Sequence, residues 1–266
     1  NYSISIRTVR FDYSGGIDAL ISLLASSSAN SIESGRYAAF ALSNIAANAN
    51  YRRQIVDEGG VEALVVLACC DDVNARSQAL RALRGICITP EFRVTVVELG
   101  ILDPLVLMGR DSSALEILRE VAAALNCLSS VEENKEEICD RAISTIIGMM
   151  LSGDSEVERH ACCCIANLVE MVDIHARLLE ERGLPPLIAM SVSGGDLNCK
   201  GEASRAIANL ASNADVQQIL LREGALPPMV EALQKDEVNC QRFAALGIAN
   251  LATTVSSQVK VVQAGG

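Results

Sequence analysis

One phrase returns six times along the chain, and its spacing limits the fold more than any other feature. "LSNIAA" places Asn44, "LRGICI" puts Arg84 in the same position, "LNCLSS" carries Asn126, "IANLVE" Asn167, "AIANLAS" Asn209 and "GIANLAT" Asn250. Successive spacings are 40, 42, 41, 42 and 41 residues. A second marker runs in phase, fifteen to sixteen residues after each position: Gly59–Gly60, Gly100, Gly183, Gly224 and finally Gly265–Gly266. The fourth unit departs from it, with Arg141 and Ala142 in the glycine place. Two markers in register at one period describe a stack of copies of a single supersecondary unit, each burying its apolar face on its neighbours.

Each unit reads as three helical segments. The first, such as "ADVQQILLRE", ends at the glycine, which takes the left-handed conformation that closes a helix. The second starts just after, often with a proline in its first turn (Pro104, Pro186, Pro228), where no N–H is needed. The third, longer segment carries the asparagine on a wide face of apolar and small residues, as in "NCQRFAALGIANLATT". Openings such as "SIESGRY" and "DEVNCQR" supply Ser, Asp or Asn caps. No stretch alternates with period two, so an all-α fold is predicted. The repeats fall at about 1–47, 48–89, 90–130, 131–171, 172–212 and 213–254, with a partial unit at 255–266.

Composition agrees with a thin, layered core. Half of the 266 residues are apolar, yet tryptophan is absent and only eight are Phe or Tyr. The net charge of −11 argues against nucleic acid and against anionic membrane surfaces as partners. The ten cysteines lie within apolar helical runs ("ACCCIAN", "ACCDD"), as free thiols packed like small hydrophobes in a reducing, cytoplasmic setting do. No signal peptide is visible and no apolar run approaches the roughly 20 residues that span a bilayer.

A period near 41 with three helices excludes 33- and 34-residue arrays and leaves the HEAT and armadillo class. "GALPPMVEAL" followed by "ALGIANLA" resembles the armadillo repeat, in particular its β-catenin-like and vacuolar-type scaffold branches, from about Gly15 onward. The resemblance implies a right-handed superhelix of six three-helix repeats, a single array over 1–266.

In such a stack the same face of every third helix lines one groove. A carboxamide there offers donor and acceptor to an extended peptide backbone without reading its side chains. The resemblance implies that role for Asn44, Asn126, Asn167, Asn209 and Asn250. The alternative is that the amides tie adjacent helices together. Positions eight and four before the asparagine share its face. They hold Arg36, Arg76, Arg159, Arg242 and Arg205, with Arg119 one place off and Arg81 and Arg84 adding to the second unit. Arginine outnumbers lysine 18 to 4, and its forked donors suit carboxylates. The competing reading is that these arginines solvate helix starts or pair with Glu33, Glu120, Glu158 and Glu202.

Carriers of the importin-α type place tryptophan four residues before the asparagine. Here only Phe40 is aromatic at that position, and Arg205 opposes a basic ligand. The chain is therefore expected to be a non-enzymatic scaffold for a protein partner with an extended, acidic segment, without cofactor or metal. The alternatives are a divergent nuclear-import adaptor and the substrate-recruiting region of a larger ubiquitin ligase.

No catalytic constellation competes with this reading. "HACCC" sets His160 near Cys163 and Cys164, but nothing completes the four ligands of a structural zinc. "SGGDLNCKG" lacks the lysine–serine ending of a phosphate loop and reads as a connection between helices. "VEENKEEICD" is expected to be a solvated first helix. The opening "NYSISIRTVRFDYSGG" reads as a degenerate first helix, and the end at a glycine pair reads as a cut through a longer array.

Overall fold

The computed structural model describes residues 14–26, 31–111, 114–193, 196–234, 237–253 and 255–264, and every regular element among them is helical. The chain divides into two compact units, residues 1–89 and 90–266.

In the first unit α1 (Ser14–Ala25) and α2 (Ile32–Ala46) precede a complete triplet, α3 (Ala49–Asp57), α4 (Gly60–Ala68) and α5 (Val73–Cys87). The two third helices, α2 and α5, pack along each other, with α1 and α4 against them. Leu42, Leu64, Leu80, Leu83 and Ile86 are fully buried, as are the small Ala39, Ala79 and Ala82 of the same two third helices.

The second unit opens with a 3-10 turn (Pro90–Phe92) into α6 (Arg93–Glu98), α7 (Leu102–Asp111) and α8 (Leu115–Ser129). Next come α9 (Glu132–Met149) and α10 (Ser155–Leu168), then α11 (Ile174–Glu180), α12 (Leu184–Ser193) and α13 (Leu197–Ala211). The last triplet is α14 (Ala214–Arg222), α15 (Leu226–Leu233) and α16 (Val238–Leu251), followed by α17 (Val255–Gln263). The third helices form a row in which α8 packs on α10, α10 on α13 and α13 on α16.

Three expectations need correction. The fourth repeat has two helices, not three: with Arg141 and Ala142 in the glycine place, nothing stops the first helix, and α9 runs unbroken for 18 residues. Its start is not simply solvated either, since Asn134 and Lys135 are buried and Lys135 Nζ lies 2.6 Å from Glu170 Oε2. Third, Gly183 does not close α11.

The closing geometry explains this last point. Where Gly100 and Gly224 adopt φ of +90° and +81°, the next residue's N–H reaches back to the carbonyl five positions earlier, Ile101 to Val96 and Ala225 to Leu220. Gly183 makes that back-bond to Leu178 at 2.9 Å, so the left-handed position before it falls to Arg182, at φ +57°. Gly183 itself sits where an added Cβ would lie 2.3 Å from Leu178 Cδ1. A left-handed non-glycine residue costs about 1–2 kcal/mol, partly offset by the greater chain entropy that glycine loses. Arg182→Gly is therefore expected to raise stability by about 0.5–1 kcal/mol in urea unfolding. A loss would refute the strain.

Helix starts follow the sequence where acids are available. Asp72, Asp154 and Asp196 accept bonds from Ala75, Val157 and Cys199 N–H groups at 2.7, 3.1 and 2.6 Å. Ser31 stands at the start of α2 without a side-chain cap bond, and Glu237 caps α16. Asp236, Gly265, Gly266 and residues 1–13 lie outside the described residues. All ten cysteines are thiols.

Candidate functional site

In the first unit Asn44 is exposed on α2, and Arg84 lies half-buried at its counterpart on α5. Arg36 bonds Glu33 at 3.3 Å and covers the Tyr37 ring, 4.9 Å from its centroid. Phe40 is exposed, and Arg76 holds a buried Nε that finds no acceptor.

In the second unit the asparagines are half-buried on consecutive third helices, and each reaches back to the helix before or across to the one after. Asn209 Nδ2 donates to the Ala166 carbonyl at 3.3 Å, and Asn250 Nδ2 to the Ala208 carbonyl at 3.0 Å. Asn167 is engaged at both ends: its Nδ2 donates to Ser129 Oγ at 3.2 Å and its Oδ1 accepts from Arg205 at 2.8 Å. Asn126 Nδ2 lies 3.2 Å from His160 Nδ1. The carboxamides thus do tie helices together. In Asn209 and Asn250 that tie uses one N–H, leaving a second N–H and the Oδ1 acceptor without a described protein partner.

The arginines divide into two groups. Arg119 forms a two-pronged bond with Asp154, Nε to Oδ1 at 3.1 Å and Nη2 to Oδ2 at 2.6 Å, with Glu156 at 3.4 Å. Arg205 sits among Glu170, Glu202 and Asn167 at 2.9, 2.7 and 2.8 Å. Both charges are largely answered from within. Arg159 keeps a buried Nε without an acceptor, as Arg76 does at the same register of the other unit. Arg242 stacks on Phe243, 4.5 Å from the ring centroid.

Asp154 joins the cap of α10 to this surface. Hydrogen bonds from Arg119, and then from the Val157 N–H, hold its carboxyl at about 2, against a usual value near 4. A depressed carboxylate adds stability that is complete above its unfolded pKa and disappears as pH falls through the folded one. Asp154→Ala is expected to lose about 1 kcal/mol at neutral pH, and the gap to the parent should close between about pH 4 and pH 2. A gap constant over that range would show that the pairing contributes nothing.

A second register has no counterpart in the sequence reading. Eight residues beyond the asparagine place, on the first helix, Arg52 donates to the carbonyls of Ala46 (2.7 Å) and Ala47 (3.3 Å). Asn134 donates to Leu128, His175 to Val169, Gln217 to Ala211 and Gln258 to Ala252, each six residues back, at 2.8–3.1 Å. Each satisfies the open carbonyl end of a third helix. Several also reach a further helix end: Arg52 to Thr89 and Gln217 to the Asn250 carbonyl within their own repeats, and Asn134 to the Arg93 carbonyl of the repeat before. His175 therefore carries its proton on Nε2, leaving Nδ1 to face Asn213 Nδ2 at 3.4 Å. The 41-residue spacing could have revealed this register; the change of residue type conceals it.

Among the described residues no group of three His, Cys, Asp or Glu side chains converges, and no helix is long and apolar enough to cross a membrane. Burial pushes the Cys163 and Cys164 thiols up to about 12, so they stay protonated beside His160 at neutral pH.

Residues 48–88 match the family model of the armadillo/beta-catenin-like repeat. Vacuolar protein 8 of Candida albicans is 28% identical over 162 residues, 59% of this chain. The matched part is 27% of that protein's length. An engineered protein from the Northeast Structural Genomics Consortium shares 29% identity and superposes with a TM-score of 0.86, covering 94% of this chain and 62% of that one. A designed armadillo repeat protein in complex with the peptide (KR)4 is 24% identical, with a TM-score of 0.78 over 88% of this chain and 99% of that one.

Proposed function

We propose that this chain, similar to armadillo-repeat proteins in residues 48–88 and in fold, is a non-enzymatic scaffold whose third helices hold an extended, acidic segment of a protein partner. One observation carries the reading: Asn209 and Asn250, on successive third helices, make the same backward bond with one N–H and keep a second N–H and an acceptor. A carboxamide fixed in that way meets a passing peptide group without having to be ordered on binding, so little of its hydrogen-bond energy is lost to entropy.

The acidic preference rests on the arginines not already answered by carboxylates. Arg76 and Arg159 each have a buried Nε awaiting an acceptor, and Arg242 is held flat on Phe243. A carboxylate is the partner that suits the outer donors of such a guanidinium. The designed protein of similar fold holds the basic peptide (KR)4; here Arg159 and Arg242 oppose a ligand of that sign.

Titration with fluorescein-labelled twelve-residue peptides, one rich in glutamate and one in lysine, tests the reading. Tighter binding of the glutamate peptide, weakening as salt rises, is the expected result. Preference for the lysine peptide would sink the acidic reading in favour of an import-adaptor type of ligand.

A further inference from the structure

The first unit contains a cavity that the carboxamides do not explain. It lies between α2 and α5, has a volume of about 320 Å³, and is lined by Arg36, Tyr37, Phe40, Asn74 and Gln78. Two of the chain's eight aromatic rings line it while remaining solvent-exposed, Tyr37 at 58% and Phe40 at 46%. Rings left in water beside a concavity are the usual anchors of an interface. Tyr37 is held in place by the Arg36 guanidinium over its face, itself bonded to Glu33. Gln78, from the facing helix, has a buried Oε1 that accepts no hydrogen bond. An acceptor left in that state is costly, and a turn of the lining carboxamide that brings it to a ligand's donor relieves it.

We propose that this cavity is a side-chain subsite for a neutral aromatic residue bearing a donor, tryptophan or tyrosine, in the bound partner segment. The inference rests on the peptide-binding reading above and adds a specificity to it. Each wall excludes something. The exposed rings call for a flat apolar face. Gln78 Oε1 calls for an N–H or O–H, which phenylalanine and aliphatic side chains lack. Arg36 opposes lysine or arginine, although Phe40 occupies the position where an aromatic residue could stack on a cation. A carboxylate would bring lone pairs against Gln78 Oε1.

The chain has no tryptophan of its own, so indole emission reports the ligand alone. The probes are four twelve-residue glutamate–serine peptides that differ only in a central Trp, Phe, Lys or Ala. The Trp peptide is expected to bind the full chain about three- to tenfold more tightly than the Phe peptide, as one added hydrogen bond implies, with a blue-shifted emission. Gln78→Leu should bring the Trp and Phe affinities together, and Phe40→Ala should weaken both. Equal binding of Trp and Phe peptides to the parent chain, or tighter binding of the Lys peptide, overturns the subsite. That comparison needs no variant, so it stands even if Gln78→Leu fails to fold. Equal binding of all four removes the subsite and leaves the acidic-segment reading intact; no binding by any of them removes both.

Discussion

Arg52→Leu is expected to destabilise the first unit by about 3 kcal/mol. The side chain is only 8% exposed, and its guanidinium holds the Ala46 and Ala47 carbonyls at the end of α2 while reaching Thr89 Oγ1 at 2.9 Å beyond the end of α5. Leucine fills much of the space but leaves the buried Ala46 carbonyl and the part-buried Ala47 carbonyl without this donor. Hydrogen bonds from a charged group are worth about 1.5–3 kcal/mol each, and the orphaned acceptors add their own desolvation cost. Hydrogen exchange of the α2–α5 amides is the appropriate readout, since it isolates this unit within the full chain. Arg52→Gln should recover about half of the loss, because glutamine performs the same task at Gln217 and Gln258. A loss below about 0.5 kcal/mol for Arg52→Leu would mean that solvent satisfies these carbonyls and that the register is incidental.

The double variant Asn209→Ala/Asn250→Ala has the largest expected effect on binding. If each carboxamide gives the peptide backbone one bond worth about 0.5–1.5 kcal/mol, affinity for the glutamate peptide falls about ten- to a hundredfold. The variant also loses the bonds to the Ala166 and Ala208 carbonyls, so about 1–2 kcal/mol of stability should go with them. A matched control separates the two effects. Asp196→Ala removes the cap of α13, bonded to Cys199 N at 2.6 Å, and should lose similar stability with no loss of affinity. Equal weakening by both variants would assign the asparagines to the fold alone.

The repeat, its register and the helical class were legible because they are written in residue types that recur. Asparagine at one phase and glycine at another survive any alignment of the chain with itself. The unbroken α9 was half legible: Arg141 and Ala142 marked the place, but the consequence, one helix instead of two, needed the backbone. The carbonyl-capping register was not legible. Its geometry asks only for a donor of sufficient reach, and Arg52, Asn134, His175 and Gln217 all provide one. Arg182 was missed for a related reason: the left-handed position is set by the back-bond of the following residue, and a glycine one place later drew the assignment to itself.

The arginine pattern shows the reverse problem. Helical spacing placed Arg119 and Arg205 on the third helices but says nothing of carboxylates arriving from a neighbouring repeat. Asp154 lies 35 residues from Arg119, and Glu170 35 residues from Arg205. Both are bonded across a repeat boundary, so a residue's own helix face cannot report whether its charge is available. Asn167 is likewise engaged across the repeat boundary, by Ser129 at its Nδ2 and by Arg205 at its Oδ1, which its place on the helix face does not reveal.

The side-chain amide resonances of Asn209 and Asn250 offer the most direct view of the proposed contact. In ¹⁵N spectra they are assigned by their disappearance in the single alanine variants, and each is followed as the glutamate peptide is added to saturation. If these carboxamides bond the peptide backbone, both NH2 pairs shift and gain protection from exchange, while Asn167, already bonded at both ends, moves little. Saturated binding with the Asn209 and Asn250 amides unmoved would place the peptide elsewhere and contradict the account.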